Sequence, residues 1–127
     1  MIKQEKQRRE AVGSTYPLVL HGAASLPKES IDEVNKWGGK VEQLMMCTEE
    51  TISKTAKYGI AKANMDVDNM LAYTGAVRKF LTEKPEQYNH LLYINQATAA
   101  FKKAVKHKMH SVTMSSGFGD KFMKELD

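Results

Sequence analysis

Cys47 is the only cysteine in 127 residues. One thiol excludes both a disulfide framework and a thiolate zinc site, and it suits a reducing compartment. No apolar run approaches the ~20 residues that a membrane-spanning helix needs. The first ten residues, MIKQEKQRRE, are charged from the start and no hydrophobic segment follows them, which argues against a secretory signal. The net charge is only +4, and no region reaches the dense Lys/Arg field of a dedicated nucleic-acid binder. A balance of that size favours anionic small molecules instead. Low-complexity tracts are missing too. These absences describe a soluble, cytoplasmic protein with neither nucleic acid nor membrane as a partner.

The length suits one ordinary domain, and an apolar share of 42% permits a real core. Residues 1–15 read as a polar segment or surface helix, because Met1 to Ala11 lack an apolar stripe. Pro17 can open a strand, where a missing N–H costs little. Leu18, Val19 and Leu20 form an unbroken apolar run, which suits a parallel strand covered on both faces. His21 and Gly22 follow at once. A helix is expected over Lys28 to Trp37, with Ile31 and Val34 inward and Gly38-Gly39 as its stop. Lys40 to Cys47, with Leu44, Met45 and Met46, reads as an irregular connection.

Thr48 is the expected N-cap of the next helix, with Glu49 and Glu50 complementing its dipole. That helix ends at Tyr58 with Gly59 as its cap, and a strand over Ile60 to Met65 begins directly. Asp68 is the expected cap of a helix running to about Glu83, with Met70, Tyr73, Val77, Phe80 and Leu81 as its buried stripe. Lys84-Pro85-Glu86 breaks it. Tyr88 to Tyr93 reads as a connection. A last long helix is expected from Ile94 to His110, with Ile94, Ala97, Phe101, Val105 and Met109 inward and its lysines, Lys108 included, mostly on the wet side. Residues 115–127 read as a flexible tail that ends in a helical turn over Lys121 to Leu126.

Two stretches therefore share one shape. YPLVLHGAASLP (residues 16–27) and YGIAKANMDVD (residues 58–68) are each a short apolar strand that ends in polar residues and leads into a helix. That is the grammar of the active-site face of a βα barrel. His21 stands at one strand end, and Asn64, Asp66 and Asp68 at the other. A lone strand-end histidine is ordinarily a hydrogen-bonded structural residue, and the Asn64–Asp68 run can equally be a strand-to-helix turn. Lys62 can face an anion or solvent. His107 and His110 are three apart, yet no carboxylate accompanies them in sequence. Cys47 reads as a small packed apolar residue.

PLVLHGAAS, then YGIAKANMDVD, then AVRKFLTEKPEQY, in that order, resemble the C-terminal third of the class II fructose-bisphosphate aldolases. The similarity runs from Tyr16 to Met114. It implies an α/β fold: the C-terminal part of a TIM (β/α)8 barrel, two parallel strands with flanking helices, occupying residues 16–114. It also implies aldol cleavage of fructose 1,6-bisphosphate to dihydroxyacetone phosphate and glyceraldehyde 3-phosphate, a glycolytic reaction. By resemblance His21 is one of three zinc-binding histidines, and Gly22, Ala23 and Ala24 contact the substrate phosphate. Asn64, Met65, Asp66 and Val67 would line the dihydroxyacetone-phosphate site, with the Asn64 amide donating to the developing oxyanion. Those residue types fit such chemistry: neutral imidazole suits Zn2+, and backbone N–H groups suit a phosphate.

The chain departs from the family pattern at three anion donors. Ala24 stands where the family usually has Ser or Thr, Val67 where it has a hydroxyl residue, and Leu91 where it has an arginine. Each change removes a side-chain donor, and charge-assisted bonds of that kind contribute about 1.5–3 kcal/mol. A barrel takes about 250 residues, and a catalytic zinc takes three protein ligands. The expectation is thus an incomplete barrel, inactive by itself, that pairs with the remaining N-terminal part or a homodimer partner. The alternative is a non-catalytic remnant or interaction module whose basic helix, KKAVKHKMH (residues 102–110), meets an anionic partner.

Overall fold

A computed structural model describes residues 1–13, 15–42 and 47–121. The expected connection at Leu44, Met45 and Met46 and most of the expected terminal turn lie outside the described residues. Helix α1 spans Ile2–Val12, strand β1 Leu18–Leu20 and helix α2 Lys28–Lys36. Helix α3, Glu49–Lys54, tightens into a 3-10 turn over Thr55–Tyr58 before strand β2, Ile60–Ala63. Helix α4 spans Val67–Glu83, and helix α5 spans His90–His107 with a π-helical turn over Lys108–Val112.

The local signals explain most of these boundaries. Thr48 accepts the N–H of Thr51 as the cap of α3. Gly59 has φ 83°, the left-handed conformation that ends a helix at little cost to glycine, and β2 starts at the next residue. Strands β1 and β2 are parallel neighbours, with Val19 opposite Lys62 and Leu20 opposite Ala63. Backbone pairing continues past both ends: Asn64 N–H bonds Leu20 O at 2.9 Å, and Ala23 N–H bonds Asn64 O at 3.2 Å. The two strand exits are therefore fixed to one another by the backbone itself.

Two small apolar clusters flank this pair. Ala24, Leu26, Ile31, Val34 and Leu71 join the loop after β1 to α2 and α4. Leu20, Ala23, Ile52 and Val112 join the strands to α3 and the π turn. The covering is one-sided. Val19 is 45% exposed, so β1 is not covered on both faces as its unbroken apolar run suggests.

Several expected faces are rearranged. Along α4, Met70 and Leu81 lie in solvent, while Leu71, Gly75 and Phe80 are buried. Gly75 lets α2 approach: a Cβ there would touch a Val34 methyl at 3.4 Å. Helix α5 begins at His90 rather than Ile94, because Asn89 accepts the N–H of Leu91 and caps it. Of its large apolar residues, Ile94, Phe101 and Met109 are exposed. Ala97 is buried instead, and Ala100 and Ala104 line a cleft together with Gly75 and Ala76 of α4. Lys108 continues that alanine row and is buried, which overturns its expected place on the wet side.

Candidate functional site

The exits of β1 and β2 carry the two residues singled out from sequence, and the structure brings them together. Asn64 Nδ2 lies 3.1 Å from His21 Nδ1. Nδ1 is then the acceptor, and in the neutral ring the proton sits on Nε2. His21 is exposed and Asn64 half-buried, so the pair sits at the rim of the two-stranded sheet. The contact follows from parallel pairing, since Leu20 faces Ala63 and the next residue along each strand is one of this pair.

The other expected substrate residues surround it unevenly. Gly22 has φ 66° and is exposed, the backbone bend by which the chain leaves β1. The side chains of Ala23 and Ala24 are buried, so only their backbones are available to a ligand, and the N–H of Ala23 is already bonded to Asn64 O. Met65 packs against the strand-side cluster. Asp66 is exposed and occupies the N-cap position of α4 without a side-chain capping bond. Val67 is exposed beside it. Lys62 is exposed, and Leu91, in the first turn of α5, is 57% exposed.

Asp68 has a different part from the expected cap. It lies inside the first turn of α4, 4% exposed, and reaches back to the loop that follows His21. Its carboxylate accepts the N–H of Leu26 at 2.7 Å, the N–H of Ser25 at 3.2 Å and the Ser25 hydroxyl at 3.0 Å. Lys108 Nζ stands 2.7 Å from Asp68 Oδ2 and donates to Glu49 Oε1 at 2.5 Å and to Ser25 Oγ at 2.6 Å. All three ammonium protons thus have partners. His107 Nε2 lies 2.8 Å from the second oxygen of Glu49. Burial pushes the Asp68 carboxyl up, but the Lys108 bond, the two backbone N–H bonds and the Lys108 charge outweigh it and hold it low. Glu49 is likewise pushed up by burial and held lower by Lys108 and His107.

This ionic cluster closes one end of a cleft of about 450 Å3 between α2, α4 and α5. Leu71, Gly75, Ala100 and Ala104 line it, and its walls include neither His21 nor Asn64. The cluster is the feature that the sequence reading missed. Its signal was there in the spacing Ala97, Ala100, Ala104, Lys108, a helical stripe whose members are too small to stand out as apolar.

The comparisons with known proteins converge. Residues 2–117 match the family description "Fructose-bisphosphate aldolase class-II". The chain belongs to the class II fructose-bisphosphate aldolase family. The fructose-bisphosphate aldolase of Treponema pallidum is 38% identical over 102 residues, covering 80% of this chain and 31% of that protein. That of Giardia intestinalis is 34% identical over 104 residues, covering 82% and 32%. That of Thermus caldophilus is 38% identical over 93 residues, covering 73% and 30%. This aldolase-family chain thus spans just under a third of the length of these relatives.

Aldolases of this class are generally zinc-dependent. The residues described here do not hold such an ion by themselves. No group of three or more His, Cys, Asp or Glu side chains among the described residues could ligate a metal. His21 offers one imidazole, and its Nδ1 lone pair already accepts from Asn64. A structural or catalytic zinc needs at least three protein ligands. Among the described residues, no helix is long and apolar enough to cross a membrane.

Proposed function

We propose that this chain supplies the seventh and eighth βα units of a class II fructose-bisphosphate aldolase barrel and does not complete the active site alone. The observation that carries this reading is the His21–Asn64 contact at the carboxyl ends of adjacent parallel strands. Active sites of βα barrels are built at that face, from the ends of several strands. In the completed protein His21 contributes one imidazole to the zinc, and the remaining ligands come from the other strands. Asn64 is the catalytic amide of this pair, free to turn its N–H toward a developing oxyanion once His21 has another partner.

The substrate on this reading is a phosphorylated sugar, cleaved through its dihydroxyacetone-phosphate part in glycolysis, in the cytoplasm. Gly22 and Ala24 contribute backbone N–H groups to the phosphate, and Ala23 shapes the loop from within. Met65, Asp66 and Val67 continue the wall on the β2 side. Without the hydroxyl and guanidinium donors expected at Ala24, Val67 and Leu91, the phosphate is held weakly from this side.

The exposed apolar residues give the reading its structural logic. Val19 on the sheet, Met70 on α4, Phe101 on α5 and Met109 in the π turn are each about half exposed. Two strands also leave open sheet edges, which barrel closure removes. The remaining strands of the barrel, or a second copy of the chain, would cover these surfaces. The test is zinc binding and fructose 1,6-bisphosphate cleavage by the pure chain. Neither is expected; robust cleavage without a partner would overturn the reading. Zinc and phosphate silence that persists when the rest of a barrel is supplied would favour the alternative, a non-catalytic module presenting Lys102, Lys103 and Lys106 of α5 to an anionic partner.

A further inference from the structure

We propose that Lys108 is a positioning residue: through Asp68 and Ser25 it holds the loop that carries His21 and the helix start that follows Asn64 in a single arrangement. The inference rests on the reading of His21 and Asn64 as the functional pair.

The loop needs holding. Between His21 and α2 the chain passes Gly22 at φ 66° and then Leu26 at φ 41°. Gly22 takes that conformation freely, but a leucine there carries a penalty of about 1–2 kcal/mol. Such a conformation persists only where its surroundings over-determine it. Two features do so here. The Leu26 side chain is buried with Ile31, Val34 and Leu71, and two successive backbone N–H groups, those of Ser25 and Leu26, end on the Asp68 carboxylate.

Asp68 is the stronger acceptor while ionised and matched. It is 4% exposed, and a buried carboxylate without a counter-charge is costly enough to reorganise its site. Lys108 is the matching charge, itself 6% exposed at its side chain. It also donates directly to Ser25 Oγ, so it grips the loop at a second point. Glu49, at the start of α3, takes the remaining ammonium proton. One cation from the end of α5 therefore joins the loop after β1, the first turn of α4 and the first turn of α3.

The helix is shaped for this. At Lys108 it widens into a π turn, with Thr113 N–H bonded to Lys108 O five residues back. That turn ends at Val112, buried in the strand-side cluster with Leu20 and Ala23. The side chains of Lys108 and Val112 thus fasten the same turn to the segments that flank His21. The other strand exit is bound in as well. Asn64 and Asp66 lie within four residues of Asp68, and the carbonyl of Asp66 accepts the N–H groups of Asn69 and Met70. Moving Asp68 moves the segment that presents Asn64.

The experiment is amide exchange and imidazole 15N NMR on the full chain, comparing wild type with Lys108→Met and Lys108→Arg. In Lys108→Met the Ser25 and Leu26 amides should exchange about tenfold faster or more, relative to the β2 amides of the same sample. The His21 ring nitrogens should shift toward the average of two exchanging tautomers, and Lys108→Arg should restore both signals. Exchange at Ser25 and Leu26 that changes only in step with β2, with His21 unmoved, would show a purely structural lysine and overturn the proposal. If Lys108→Met does not fold, Ser25→Ala decides, because it removes the loop hydroxyl that accepts from Lys108 and donates to Asp68. Faster Leu26 exchange then supports the proposal, and unchanged exchange overturns it. A wild-type His21 ring with no Asn64-bonded Nδ1 would instead sink the functional pairing, whatever Lys108 does to the loop.

Discussion

Asn64 and His21, 43 residues apart in sequence, meet amide to imidazole at 3.1 Å. Because Asn64 donates to Nδ1, neutral His21 should keep its proton on Nε2. Replacing Asn64 with Ala should release that preference, and the 15N shifts of the ring should move toward a mixture of tautomers. The pair is at the rim, so the stability cost should be about 1 kcal/mol or less. A ring spectrum identical in Asn64→Ala and wild type would show that the contact does not form in solution.

Asp66 and Asp68 stand two residues apart at the start of α4, and they should behave oppositely. Asp68 holds two backbone N–H groups and a buried lysine, so Asp68→Ala should destabilise by about 3 kcal/mol or more. Asp66 is exposed and makes no side-chain capping bond. Asp66→Ala should stay within about 0.5 kcal/mol. Urea unfolding of the two variants checks the contrast.

Acid should act through the same cluster. Asp68 and Glu49 both have folded-state values below their ordinary 3.8 and 4.5. A depressed carboxyl contributes stability that is fully present above its unfolded value and is lost as pH falls through its folded one. The thermal midpoint should therefore hold steady from neutrality down to about pH 5 and decline below it, since the unfolded chain then binds more protons. Asp68→Asn should start lower and decline less steeply below pH 3.8. An equal acid slope in both proteins would contradict the assignment.

Two glycines should be intolerant for different reasons. A Cβ on Gly39 would sit 2.7 Å from the carbonyl oxygen of Val34, a backbone atom that cannot step aside. Gly39→Ala should cost about 1–3 kcal/mol by overpacking. Gly59 has φ 83° at the end of the 3-10 turn, and a Cβ there would also displace the Arg9 guanidinium from its bonds to Gly13 O and Tyr16 O, so Gly59→Ala should cost about 1 kcal/mol or more. Thermal unfolding of both variants measures the difference.

How much of this was legible depends on how local each signal is. The Thr48 cap, the Gly59 stop, α2 and the starts of the two short strands follow from a few adjacent residues and stand where expected, although β2 ends at Ala63, two residues before the expected Met65. Their parallel pairing followed from strand–helix–strand order, and it placed His21 beside Asn64. What escaped was set by distant partners. Lys108 is buried because Asp68, 40 residues earlier, needs its charge, and helical periodicity weighted toward large apolar residues put it in solvent. Met70, Leu81 and Phe101 have the right type for a core, but the described residues leave them 39–54% exposed. Tyr88 to Tyr93 looked like a connection because the capping signal lay in Asn89, ahead of the apolar pattern.

On the proposed reading, this chain completes a barrel whose other strands are built elsewhere. The most direct test mixes it with the remaining two thirds of the Treponema pallidum relative and follows zinc-dependent cleavage of fructose 1,6-bisphosphate. Neither piece should be active alone, and the mixture should gain activity that His21→Ala abolishes. Full cleavage by the chain alone, or a mixture whose activity is indifferent to His21→Ala, would contradict the account.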